Sequence, residues 1–112
     1  MHQSMSLRHV AIAVMLCLGT VRAWAQESGD AVKGLAYAQR TCSGCHAIAA
    51  SDTNSSIPAA PPFVTVANTR GMGATALAVW FRTPHPTMPN LIIEGEDMDD
   101  VIAYILSLKQ AQ

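Results

Sequence analysis

Five residues constrain this chain more than any others: Cys42-Ser43-Gly44-Cys45-His46. Two thiols three residues apart, with a histidine directly after the second, form the C-x-x-C-H pattern of covalent haem attachment. The chemistry requires that spacing. Both sulfurs lie on one turn, where they can add to the two vinyl groups of a single haem, and His46 then sits beneath the iron with an imidazole nitrogen to ligate it. Rival readings ask for residues the chain does not supply. A structural zinc site needs about four Cys or His ligands, usually in two paired clusters. Here there is one pair; Cys17 lies in a segment expected to be removed, and His85 is the only other histidine outside that segment. A thioredoxin-like redox pair belongs in a βαβ context, which the pattern of this chain does not offer. One haem, with its iron, is the cofactor these residues imply.

The N-terminus supports that reading. Arg8 and His9 precede an unbroken apolar run, Val10–Leu18, followed by Ala23-Trp24-Ala25. A charged start, an apolar stretch and an A-x-A ending describe a secretory signal peptide, with residues 1–25 removed and residues 26–112 forming one domain. The run is short of the roughly 20 apolar residues that cross a bilayer, so no membrane insertion is expected after cleavage. Haem attachment by the usual bacterial route takes place outside the cytoplasm, and the expected compartment is the periplasm.

Processing also changes the charge. The full chain has seven Lys plus Arg against eight Asp plus Glu. Arg8 and Arg22 leave with the signal, so five basic residues face eight acidic ones and the balance becomes −3. Such a balance argues against nucleic acid or an anionic membrane as partner. The acidic residues concentrate between Glu94 and Asp100, read here as the solvated start of a helix. A domain of under about 90 residues buries little surface without help. The cofactor is therefore expected to form part of the core, and the chain without it to be poorly folded.

Four helical segments are expected. Asp30 is placed to cap a helix over Ala31–Thr41, with Val32, Leu35 and Ala36 as its apolar stripe and Gly34 marking a close helix–helix contact. That helix runs straight into the C-x-x-C-H turn. Residues 47–60 are small and polar and read as a loop; Pro58, Pro61 and Pro62 stiffen the chain before a short apolar helix at Phe63–Val66. Ala74–Arg82 carries Leu77, Trp80 and Phe81 at i, i+3, i+4 and is stopped by Pro84. Asp97–Lys109 is the clearest helix, acidic at its start and basic at its end, with Val101, Ile105 and Leu108 in one apolar row widened by Ile102, Tyr104 and Leu106. No strand, repeat or second domain is expected, and the fold class is all-α.

The sixth iron position decides the chemistry. A thioether is a soft neutral ligand that raises the potential of haem iron, and Met72, Met88 and Met98 are the methionines outside the signal. Met98 falls in the first turn of the last helix, and Met72 lies between two glycines that give no rigid support. Met88 lies between Pro86 and Pro89, with Pro84 stiffening the approach, so the loop loses little entropy in holding the sulfur against iron. His85, between two prolines, is read as a surface or propionate-facing residue. Iron is thus expected between His46 and Met88, in an apolar pocket.

On these residues the chain resembles the class I, mitochondrial-like c-type cytochromes of the short bacterial periplasmic kind, over nearly all of residues 30–109. The resemblance implies a small cytochrome c fold, three to four helices wrapped around one covalently bound haem. Cys42, Cys45 and His46 match the family's thioether cysteines and proximal histidine, and Met88 its distal methionine. Gly34 and Tyr104 match the crossing of the first and last helices. Pro61 looks like the proline whose carbonyl takes a hydrogen bond from the proximal histidine, and Trp80 resembles the tryptophan near the haem propionates. Three positions depart from the pattern: Ala38 stands where the family has an aromatic, Ala60 precedes Pro61 where a glycine is usual, and the lysine-rich docking ring is missing.

The function expected from these readings is one-electron transfer by a periplasmic carrier with His/Met-ligated haem c, and not enzymatic catalysis. Its partners would be redox proteins, a periplasmic dehydrogenase or a membrane oxidase or reductase, and the protein itself a monomer or a subunit of a complex. The alternative is a cytochrome subunit bound permanently to a periplasmic dehydrogenase.

Overall fold

The computed structural model describes residues 28–84, 88 and 91–110; the expected signal segment and His85 lie outside the described residues. Four helices follow one another: α1 (Ala31–Thr41), α2 (Phe63–Asn68), α3 (Ala74–Arg82) and α4 (Gly95–Ser107), with no strand among the described residues. The all-α expectation holds.

Helix α4 is the element on which the other three pack. Val101 to Leu106 are all buried. Six consecutive positions go once and a half round a helix of 3.6 residues per turn, so α4 is covered on every side there. The stripe expected from sequence underestimates this, because α1, α2 and α3 all pack on this helix. The bounds also shift from the expected Asp97–Lys109. The helix ends at Ser107, and Lys109 lies beyond it, its ammonium donating to the Met72 carbonyl at 2.7 Å instead of completing the last turn.

Helix α1 begins at its expected cap. Asp30 has extended backbone, and its Oδ1 accepts from the amides of Val32 (2.8 Å) and Lys33 (3.2 Å), two donors that have no intrahelical partner. The buried face is shifted from the expected stripe: Leu35 and Ala36 are half-buried, but Val32 is not. Val32 is 78% exposed, whereas Gly34 and Ala38 are buried, with Leu35 half-buried beside them. The reason is the crossing with α4. A Cβ on Gly34 would overlap the Asp100 carbonyl and come within 2.8 Å of Tyr104 Cβ, so the backbones meet where side chains are smallest. Ala38, one turn on, is fully buried.

The acidic segment also divides. Glu94, Glu96, Asp97 and Asp99 are exposed, as a solvated helix start requires, but Asp100 is buried and hydrogen-bonded to the amide of Asp30. Burial of a carboxylate needs such a partner. Elsewhere, Thr83 leaves α3 in extended conformation (φ −105°, ψ 123°) ahead of Pro84, as the proline demands.

Candidate functional site

The last turn of α1 continues into the cysteine motif. Cys42 keeps near-helical backbone and its amide donates to Ala38 O at 2.8 Å; the Cys45 and His46 amides both return to Cys42 O, at 3.1 and 2.9 Å. Residues 42, 45 and 46 therefore stand at i, i+3 and i+4 of a continued turn, the positions that share one face. All three line one cavity of about 700 Å³.

That cavity gathers the six residues read from sequence as cofactor-binding, but not Met98, which lies elsewhere. Cys42, Cys45 and His46 stand on its wall together with Pro61, Trp80 and Met88. Its remaining lining is largely apolar, including Phe63 from α2, Leu77 and Phe81 from α3, and Ile105 from α4. No Asp, Glu, Lys or Arg is among the described lining residues. The volume lies in the roughly 300–1,000 Å³ range of cofactor sites.

His46 is held at two points. Its Nδ1 lies 2.7 Å from the Pro61 carbonyl oxygen. A carbonyl can only accept, so Nδ1 carries the proton and Nε2 keeps its lone pair available for a metal. The ring also leans on Phe63, with centroids 5.4 Å apart and planes tilted by 50°, and Phe63 in turn lies 6.4 Å from the Tyr104 ring. His46 is thus braced through α2 to the central helix.

The two thiols differ. Cys42 is 6% exposed, and burial, followed by the charge of Cys45, pushes its thiol up to about 11; Cys45 is exposed. At neutral pH the Cys42 sulfur is therefore protonated. Trp80 is 54% exposed at the edge of the cavity, and Met88 is half-buried in its wall.

Sequence reasoning missed two contributors. Met72 also lines the cavity and is half-buried. A turn places it there: the Met72 amide donates to Thr69 O at 3.0 Å, Gly71 takes φ +79°, and Lys109 holds the Met72 carbonyl. The flanking glycines looked like looseness, but the support comes from the C-terminal end of the chain. The second is the polar loop 51–57, which is hydrogen-bonded back onto the cysteine turn through Ser55, Ser56 and Ile57. No periodicity marks either feature.

The fit to a haem follows from this donor set: two thiols and an imidazole on one helical face, a thioether in the wall of the same cavity, and apolar surface between them. Among the described residues no group of three or more His, Cys, Asp or Glu is arranged to hold a bare metal ion. Comparison with curated proteins and with solved structures found no match. The family model described as cytochrome c matches residues 31–109, from the first residue of α1 to just past the end of α4. The chain therefore belongs to the cytochrome c family, whose members carry haem c, with its iron, bound covalently to the cysteines of the C-x-x-C-H motif.

Proposed function

We propose that the protein is an exported one-electron carrier with a single haem c, its iron held between His46 and Met88. The observation that carries this reading is one cavity, without Asp, Glu, Lys or Arg among its described lining residues, with the Nδ1-anchored imidazole and the Met88 thioether both in that lining. When bound, haem supplies the redox centre, and methionine ligation raises its potential. The chain's own residues do the rest. Cys42 and Cys45 tether the cofactor so that it survives repeated partner encounters. Pro61 fixes the protonated nitrogen of His46, and the apolar walls exclude water and lower the local dielectric. Two protein ligands leave no position open for oxygen or peroxide, which favours a carrier over an enzyme or gas sensor. The cavity edge near Cys45 and Trp80, both exposed, is where electrons would enter and leave.

Residues 1–25 serve in this reading as a signal peptide, and the mature domain, 26–112, works in the periplasm with redox proteins as donor and acceptor. No described helix is long and apolar enough to cross a membrane.

The test is the ferric absorption spectrum of protein matured with haem, read at the weak near-infrared-edge band of methionine–iron ligation. The band should be present, and absent in Met88→Ala. A wild-type spectrum without it, or ferrous protein that binds carbon monoxide, would sink the carrier reading. Recovery of the native protein always in stoichiometric complex with a dehydrogenase would turn the shuttle into a permanent subunit.

A further inference from the structure

Ala47 follows His46 directly and is 5% exposed, so its amide and carbonyl cannot rely on water for hydrogen bonds. The carbonyl accepts from the Phe63 amide at 2.9 Å. The amide donates to the side chain of Ser55, also at 2.9 Å. Ser55 belongs to a stretch that composition marks only as polar loop, yet it is half-buried while residues 51–54 and 56–57 on either side are exposed. Two flanking bonds point the same way: Ser56 Oγ donates to Gly44 O at 2.8 Å and the Ile57 amide to Cys45 O at 3.3 Å. Three consecutive loop residues therefore hold the backbone of the cofactor-attachment turn, and the best shielded of these bonds falls on the residue next to His46.

A ring needs more than one fixed point to have a defined plane. The bond from Nδ1 to Pro61 O fixes one edge of the imidazole, but the ring can still swing about that contact if its backbone shifts. Anchoring Ala47 on one side by Ser55 and on the other by Phe63, whose ring also touches the imidazole, removes that freedom. Partners one step removed from a metal ligand commonly set its orientation in this way. We propose that Ser55 is a positioning residue for His46: by holding the Ala47 amide, its hydroxyl sets the rotation of the imidazole plane beneath the haem. This rests on His46 being the iron ligand.

The test uses the haem-loaded protein and three variants, Ser55→Ala, Ser55→Thr and Ser55→Val. The readouts are the hyperfine-shifted haem-methyl resonances of the ferric protein, which report the orientation of the axial ligand planes, and the midpoint potential. Ser55→Ala should change the order or spread of those resonances while the methionine–iron band is retained, and Ser55→Thr, which keeps the hydroxyl, should restore the wild-type pattern. If Ser55→Ala does not accumulate, the near-isosteric Thr and Val variants make the same comparison, with only Val altered. Wild-type resonances and potential in Ser55→Ala or Ser55→Val, with lowered thermal stability alone, would overturn the proposal. Failure of the underlying ligation would look different: the wild-type protein itself would lack a low-spin ferric spectrum before any variant is compared.

Discussion

Asp100 of α4 and Asp30 at the start of α1 are joined by a 2.6 Å hydrogen bond in which the Asp30 amide donates to Asp100 Oδ1, across 70 positions of sequence. Asp30 in turn caps α1 through its own carboxylate. The two ends of the domain are thus closed by a chain of three acceptor contacts at the helix crossing. A hydrogen bond to a charged group contributes about 1.5–3 kcal/mol, and stranding a buried partner costs a similar amount. Asp100→Ala should lower stability by about 2 kcal/mol, read as a lower urea midpoint, and Asp100→Asn, which keeps an acceptor, should lose less. Equal losses in the two variants would show that the carboxylate, and not its acceptor oxygen, is what matters.

Gly34 tests the same crossing from the other helix. In an isolated helix, alanine would gain about 1 kcal/mol over glycine. Here the new Cβ would overlap the backbone carbonyl of Asp100, which cannot rotate aside, and overpacking of this kind costs about 1–3 kcal/mol or more. The clash should win, making Gly34→Ala destabilising. Gly44→Ala is the control, since nothing lies within 4 Å of its Cβ position; it should leave the urea midpoint nearly unchanged.

Tyr104 gives the fold a pH dependence. Its hydroxyl donates to Ile48 O at 2.7 Å, and burial raises its pKa above the usual phenol value. The folded state then keeps its proton at a pH where the unfolded phenol, near about 10, has lost it. The contribution is complete below that pH and is lost as pH rises through the raised folded value. Tyr104→Phe should cost about 1 kcal/mol at pH 7 and show a shallower decline above pH 10. Urea titrations followed by circular dichroism across pH 7–11 make the comparison; parallel curves for the two proteins would contradict it.

Met72 and Met88 share one cavity, so they can be told apart only by substitution. Met72→Leu keeps the volume and removes the sulfur, and should preserve the methionine–iron band that Met88→Ala abolishes. A band lost in Met72→Leu and kept in Met88→Ala would move the ligand to the turn held by Lys109.

The cavity itself implies that folding depends on the cofactor. At roughly 24 cal/mol per Å³ of void, a cavity even a third of the observed size would cost about 6 kcal/mol, near the lower end of a whole domain's stability. The Cys42→Ala, Cys45→Ala double variant, purified without haem, should show much reduced far-ultraviolet helicity and no cooperative urea transition. A sharp transition at the holoprotein's midpoint would mean that the helices support themselves.

Much of this protein was legible in local chemistry. The Asp30 cap, the bounds of α1 and α3, the proline that ends α3 and the i, i+3, i+4 placement of Cys42, Cys45 and His46 depend on residues within one or two turns of each other. A sequence displays such relationships directly. The flanking prolines singled out Met88, the family pattern added Pro61 and Trp80, and all three line the cavity behind the cysteines. What only the tertiary structure decided has a common physical cause: the decisive partner is far away in sequence, or is a backbone atom. Gly34 marked the crossing with α4 in the sequence itself, but the apolar periodicity of α1 also pointed Val32 inward, and only the packed crossing left that side chain in solvent. Nothing in the sequence distinguishes Asp100 from its exposed acidic neighbours, because the Asp30 amide that it accepts from lies 70 positions away. Met72 and Ser55 gained their places from Lys109 and Ala47, and a hydrogen bond from a side chain to a distant main chain leaves no pattern in a sequence.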